Sequence, residues 1–121
     1  MDYGRKVTGG KYHKLRKRKH YETQNQEREA TIGSMKRKQL RGRGGIIKTI
    51  ILKADKANVQ TGKRIQVATI INVEKTPQNQ FLSRQNRLMK GAIIETSLGK
   101  ARITNRPSQE GCVNAVLTEN K

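Results

Sequence analysis

The stretch "RIQVATIINV", residues 64–73, decides the fold. Its apolar residues recur at every second position, which is the period of a strand with one face on a core. Ile65, Val67, Thr69, Ile71 and Val73 fall on one face, and Arg64, Gln66, Ala68 and Asn72 on the other, with Ile70 the exception. β-branched side chains suit a pleated, half-buried surface. Working outward, "IIKTIILKA" (46–54) reads as a second strand, apolar on both faces and therefore more enclosed. "ANVQTGK" (57–63) adds a short strand before a turn at Thr61-Gly62, and "AIIETSLGKARITN" (92–105) gives two strands around a turn at Leu98-Gly99. "RPSQEG" (106–111) is a loop punctuated by Pro107 and Gly111, and "CVNAVLT" (112–118) closes the set. Six short strands with frequent turns predict an all-β domain, a small six-stranded β-barrel whose closure removes exposed edges.

One insertion has a different period. In "KTPQNQFLSRQNRLMKG" (75–91), Thr76 is placed as an N-cap, Pro77 at the first helical position and Gly91 as the stop. A short helix here would turn Phe81, Leu82, Leu88 and Met89 toward the sheet, leaving Arg84, Arg87 and Lys90 for a ligand.

Charge separates the chain into two parts. The 121 residues hold 27 Lys and Arg against 9 Asp and Glu, a net charge of +18. Residues 1–45 alone carry 14 cations and 4 anions, with little apolar material. Such a segment cannot bury enough surface to offset the entropy of ordering its backbone. Residues 46–121 are richer in apolar side chains and can build a core. The expected organisation is a long, basic, extended N-terminal arm over residues 1–45, followed by a barrel over residues 46–121. The excess of charge calls for a polyanionic partner. No apolar run approaches the roughly 20 residues that span a bilayer, and no signal-peptide core is seen, so a membrane is not the expected partner.

Motifs for catalysis do not assemble. Asp55, Glu74, Glu95 and Glu110 are scattered, each within a few residues of a cation. His13 and His20 lie inside a cationic run without the further ligands a metal needs. "TGK" (61–63) and "LGKA" (98–101) lack the spacing of a phosphate loop and read as turns. Cys112 reads as a small buried strand residue in a reducing compartment. Neither a metal, a cofactor nor a small-molecule substrate is expected.

What remains is patterned charge. "YHKLRKRKHY" (12–21) packs five cations between two tyrosines. The cations run through Arg5, Lys6, Lys11, Lys14, Arg16, Lys17, Arg18 and Lys19, then Lys36, Arg37, Lys38, Arg41 and Arg43. Tyr12 and Tyr21 can stack on unpaired bases, and Gly9 and Gly10 let the backbone approach a phosphate. "RGRGG" (41–45) reads both as a hinge and as an Arg-Gly nucleic-acid contact. Lys and Arg neutralise phosphates and release condensed counterions. Fully extended, 45 residues reach about 150 Å. Such an arm could thread between helices of a large folded RNA and order only against it.

The chain resembles the archaeal and eukaryotic type of small-subunit ribosomal protein number eight along nearly its whole length. "KGAIIETSLGKARITNRPSQEGCVNAVL" (90–117) carries the most specific part of the likeness. "TGGK", "RKRKHYE", "TIGSMKRKQLRGRGG" and "LKADKANV" match earlier blocks in order. The short length is similar to archaeal members. The resemblance implies a non-catalytic constituent of the small ribosomal subunit in the cytoplasm, partnered by ribosomal RNA and neighbouring ribosomal proteins. It implies RNA contacts at "TGGK", at "RKRK", at Lys36 to Lys38, Arg41 and Arg43, and at Lys100, Arg102 and Arg106 of the barrel. The sequence departs from the family at Ile46, at the acidic, Gln-rich stretch after Tyr21, and in residues 76–87, which hold fewer cations. The alternative reading is a ribosome-assembly factor with a related barrel domain.

Overall fold

The computed structural model describes residues 4–13, 15–23 and 27–118. Strands β1 (Thr31–Ile32), β2 (Lys36–Arg41) and β3 (Ile47–Ala54) form a three-stranded sheet in the order β1-β3-β2. Strands β4 (Lys56–Thr61), β5 (Arg64–Lys75), β6 (Ile93–Thr96), β7 (Gly99–Ile103) and β8 (Asn114–Leu117) form a closed barrel. The barrel therefore has five strands where six were expected. The stretch 46–54 is a strand, but β3 pairs antiparallel with β2 and parallel with β1 instead of entering the ring. Closure is completed by a parallel pairing of β8 with β4, fastened on the outside by Asn58 Nδ2 donating to Asn114 Oδ1 at 3.1 Å.

The twelve residues of β5 serve two neighbours. Its first half pairs with β4 and its second half with β6, and the register slips between Ile70 and Asn72 and again between Val73 and Lys75. Such bulges bend a strand around a small barrel. Up to Ile71 the buried face is the opposite of the one the alternation suggests, and the slip at Ile71 then turns Val73 inward, as expected. Ile65, Val67 and Ile71 point outward, at 72%, 67% and 61% exposure, while Ala68, Ile70 and Val73 are buried. A five-stranded ring is narrow, so its interior takes small side chains. Ala57, Ala68, Ala92, Ala101 and Ala115 fill it together with Val59, Ile70, Ile94, Ile103 and Val113. Bulkier residues at every inward position would overpack it.

β3 is covered on both sides only in its middle, where Ile50 and Ile51 are fully buried; Ile46 and Ile47, expected to be enclosed, are exposed. The 104–113 loop lies over it, with Ile51 N donating to the Pro107 carbonyl at 3.2 Å. The loop packs closely here: a Cβ on Gly111 would sit 3.3 Å from Thr49 Cγ2 and press on β3. Cys112 lies half-buried in this loop, ahead of β8.

The helical insertion is shorter than expected. Helix α1 spans Gln80–Arg84 and is capped by Asn79, whose side chain accepts from Phe81 N at 3.0 Å. Thr76 does not cap it, because β5 continues to Lys75 and Thr76 is buried behind it. Asn86 adopts φ 54°, which ends the helix before a second turn forms. The chain then re-extends, so Leu88 is buried while Phe81 is 64% exposed.

Candidate nucleic-acid interface

Among the described residues of 4–23, the backbone hydrogen bonds stay within the segment. Gly9 N donates to the Lys6 carbonyl at 2.9 Å and Lys6 N to the Gly10 carbonyl at 2.8 Å, with Gly9 at φ 81°. This tight turn makes Arg5 and Lys11 cross-strand neighbours. Lys6 Nζ stands 5.7 Å from the Tyr12 ring centroid, a cation–π distance, while Val7 projects from the tip. Further on, Arg16 grips Glu22 with two hydrogen bonds of 2.7 and 2.8 Å. Lys19 N also donates to Glu22 at 3.1 Å, closing a 3-10 turn over His20–Glu22. The Arg16 guanidinium, and then the Lys19 amide, hold the Glu22 carboxyl below the usual carboxylate range, and Arg16 is raised in turn. Within "RKRK", Arg16 is thus matched internally, whereas Lys17, Arg18 and Lys19 stay exposed. Lys19 Nζ lies 6.0 Å from the Tyr21 ring. Lys14 lies outside the described residues.

Residues 36–43 are positioned by pairing. β2 is an edge strand, and cations along such an edge deter pairing with another sheet. Lys36, Arg37, Lys38 and Arg41 are all exposed on it. "RGRGG" is the hairpin connection to β3, with Gly42 N donating to the Ile46 carbonyl at 2.6 Å. Gly44 and Gly45 have φ of 69° and 75°, a conformation glycine reaches without strain. It joins two paired strands and is not a free hinge, and Arg43 sits at its tip.

The barrel cations separate by environment. Arg84 lies over the Phe81 ring at 5.6 Å. Arg87 is largely buried and turned inward, hydrogen-bonded to Glu29 with Glu27 3.9 Å away. Lys100 donates to Glu74 at 2.7 Å, which raises its pKa, with a smaller contribution from Glu95. Arg102 is exposed on the outer face of β7. Lys90 and Arg106 approach Arg41 around one cleft, joined there by Arg28 and Lys48. Lys48 escaped the sequence reading, although a lysine interrupting an apolar strand is a signal. The Glu22, Glu27 and Glu29 partners could not be assigned from spacing, since the Glu29 contact spans 58 residues.

Among the described residues no group of His, Cys, Asp and Glu could hold a metal ion. No helix is long and apolar enough to cross a membrane.

Residues 2–118 match the family model described as ribosomal protein S8e. The chain is 42% identical over 115 residues to the small ribosomal subunit protein eS8 of Haloarcula marismortui, covering 95% of this chain and 94% of that one. The proteins of the same name from Methanocorpusculum labreanum and Methanosphaerula palustris are 42% and 43% identical, over 118 and 120 residues, with the same coverage.

Proposed function

The chain belongs to the ribosomal protein S8e family, and from that premise we propose that it is a structural constituent of the small ribosomal subunit that binds and stabilises ribosomal RNA. As a member it is a structural, non-enzymatic protein. Its partners are small-subunit ribosomal RNA and adjacent ribosomal proteins, and its place is the subunit in the cytoplasm.

Residues 1–45 act as the RNA-binding arm, and residues 46–121, which contain the five-stranded barrel, as the domain that docks. The observation that carries this reading is the row of exposed cations from Arg5 to Arg43, in which only Arg16 has a carboxylate partner among the described residues. Intramolecular ion pairs would satisfy these charges if they served the fold. Left open, they match phosphates, and each contact releases counterions. Tyr12 and Tyr21, both exposed, offer ring faces to unpaired bases. The arm is not tethered at random: residues 30–41 are paired with the body, so the cations of β2 have fixed spacing before RNA arrives.

The test is retention on mature small subunits through a high-salt wash. A resident constituent stays bound in stoichiometric amount. Presence only on immature particles would instead favour an assembly factor.

A further inference from the structure

The cleft where Arg41, Lys90 and Arg106 meet has a volume of about 940 Å³. It opens between residues 27–30, the end of β2, residues 87–90 and the 106–109 turn. Its cations come from five separate segments: Arg28, Arg41, Lys48, Lys90 and Arg106. None of the five has a salt bridge among the described residues, because both carboxylates of the cleft, Glu27 and Glu29, are directed at Arg87. The surroundings are not uniformly polar. Leu40 and Met89, both half-buried, contribute apolar surface to the wall.

We propose that this cleft takes an unpaired RNA nucleotide, its phosphate among the cations and its base against Leu40 and Met89. The inference rests on the RNA-binding reading above and adds a specific site to it. Three features favour a nucleotide. An isolated group of cations would suit any anion, but a cationic rim around an apolar wall matches a ligand that is charged at one end and flat and apolar at the other. The volume falls in the range of clefts that engulf small molecules, about 300–1,000 Å³, whereas a paired helix lies across a surface and keeps its bases stacked inside. Gln78 lines the same cleft; its Nε2 donates to the Lys90 carbonyl at 2.7 Å, which leaves its Oε1 to accept from a base edge. Continuity adds to this: the cleft lies at the end of the β2 cationic edge, so a strand tracking that edge is delivered to it.

The role of Glu29 follows. By neutralising Arg87 it keeps one cation bound to the fold, while the other five have no carboxylate partner among the described residues, Lys48 being hydrogen-bonded to the neutral Gln109. It also fixes the wall formed by residues 28–30.

The experiment is a titration of the full chain, followed by amide NMR shifts, with three probes at equal ionic strength. They are a single-stranded uridine hexamer, a six-base-pair RNA duplex, and a hexaglutamate peptide. The inference expects the single strand to shift amides of residues 40–42, 88–90 and 106–109 at lower concentration than either other probe. The double variant Lys90→Gln/Arg106→Gln, checked for fold by circular dichroism, should weaken the single strand at least tenfold and the duplex less than threefold. Its salt slope for the single strand should drop by roughly one to one and a half. Shifts confined to residues 5–23 would overturn the cleft site while leaving RNA binding intact. Equal or stronger cleft shifts with hexaglutamate would overturn it in favour of an acidic peptide. Failure to bind either RNA would overturn both the site and the function it rests on.

Discussion

Arg87 and Glu29, 58 residues apart in sequence, form a hydrogen-bonded ion pair at the seam where the N-terminal segment meets the barrel. The backbone on each side is joined as well. Leu88 N donates to the Ala30 carbonyl at 2.8 Å and Ile32 N to the Asn86 carbonyl at 3.2 Å. Ala30 is buried, and the Arg87 side chain is only 15% exposed. The acidic, Gln-rich stretch after Tyr21 therefore includes a fastener for the arm's root.

Removing one member of this pair leaves the other charge partly uncompensated. Glu29→Gln is expected to destabilise the fold by about 1 kcal/mol, and Glu27→Gln, at 3.9 Å and mostly exposed, by less than about 0.5 kcal/mol. Arg87→Ala should cost about 2 kcal/mol, since packing of its stem is lost too. Urea unfolding of the three variants checks the order.

The inverted face of β5 makes a sharp contrast between adjacent residues. Ile70→Ala should cost about 2–4 kcal/mol, the loss expected at a buried site. Ile71→Ala, on the outside, should cost less than about 0.5 kcal/mol. The pattern read from alternation alone predicts the reverse, so thermal unfolding of the two variants separates the possibilities.

The Arg16–Glu22 turn depends on pH in a defined direction. Glu22 has a folded pKa below its unfolded one, so its contribution is present above the ordinary carboxylate range and is lost as pH falls through the lowered value. For Lys100 the folded pKa is raised, so its contribution is full below the ordinary lysine value and is lost as pH rises through the higher one. Between these limits neither changes. NMR titration of the Glu22 carboxyl should give a midpoint below the ordinary carboxylate range, and Arg16→Gln should move it back toward that range, with the Lys19 amide still holding it lower.

RNA affinity should follow exposed charge, not total charge. Replacing Lys17, Arg18 and Lys19 together by alanine should weaken binding to small-subunit ribosomal RNA far more than Arg102→Ala, and lower the salt slope by about 2–3. Arg16→Ala alone should have a smaller effect than any one of the three, because its guanidinium is already held by Glu22. Filter binding across a salt series measures both quantities.

The strands were legible because β-branched alternation and turn residues report local structure. Each of the six stretches expected to be a strand contains one, and the β6–β7 turn falls at Leu98-Gly99. What escaped were properties set at a distance. Whether β3 joins the ring depends on its pairing with β2, which lies in a segment whose charge obscures its strand character. The face of β5 is set by its place in the ring, and a slip at Ile71 then shifts its phase; neither leaves a mark in the composition. For the site, the types of residue were readable but their partners were not. Arg16, Arg87 and Lys100 looked as free as Lys17 or Arg106 until the fold brought Glu22, Glu29 and Glu74 to them.

The N-terminal segment is expected to take a stable shape only on RNA. Among the described residues, the backbone hydrogen bonds of residues 4–23 are all made within that segment, whereas residues 30–41 are paired with the body. Hydrogen exchange on the purified, nucleic-acid-free chain, repeated after adding small-subunit ribosomal RNA, tests it directly. Rapid exchange is expected over residues 5–23 in the free protein, slow exchange over residues 37–41 and 48–54, and protection of 5–23 once RNA is bound. Protection of residues 5–23 without RNA, or none with it, would contradict the account.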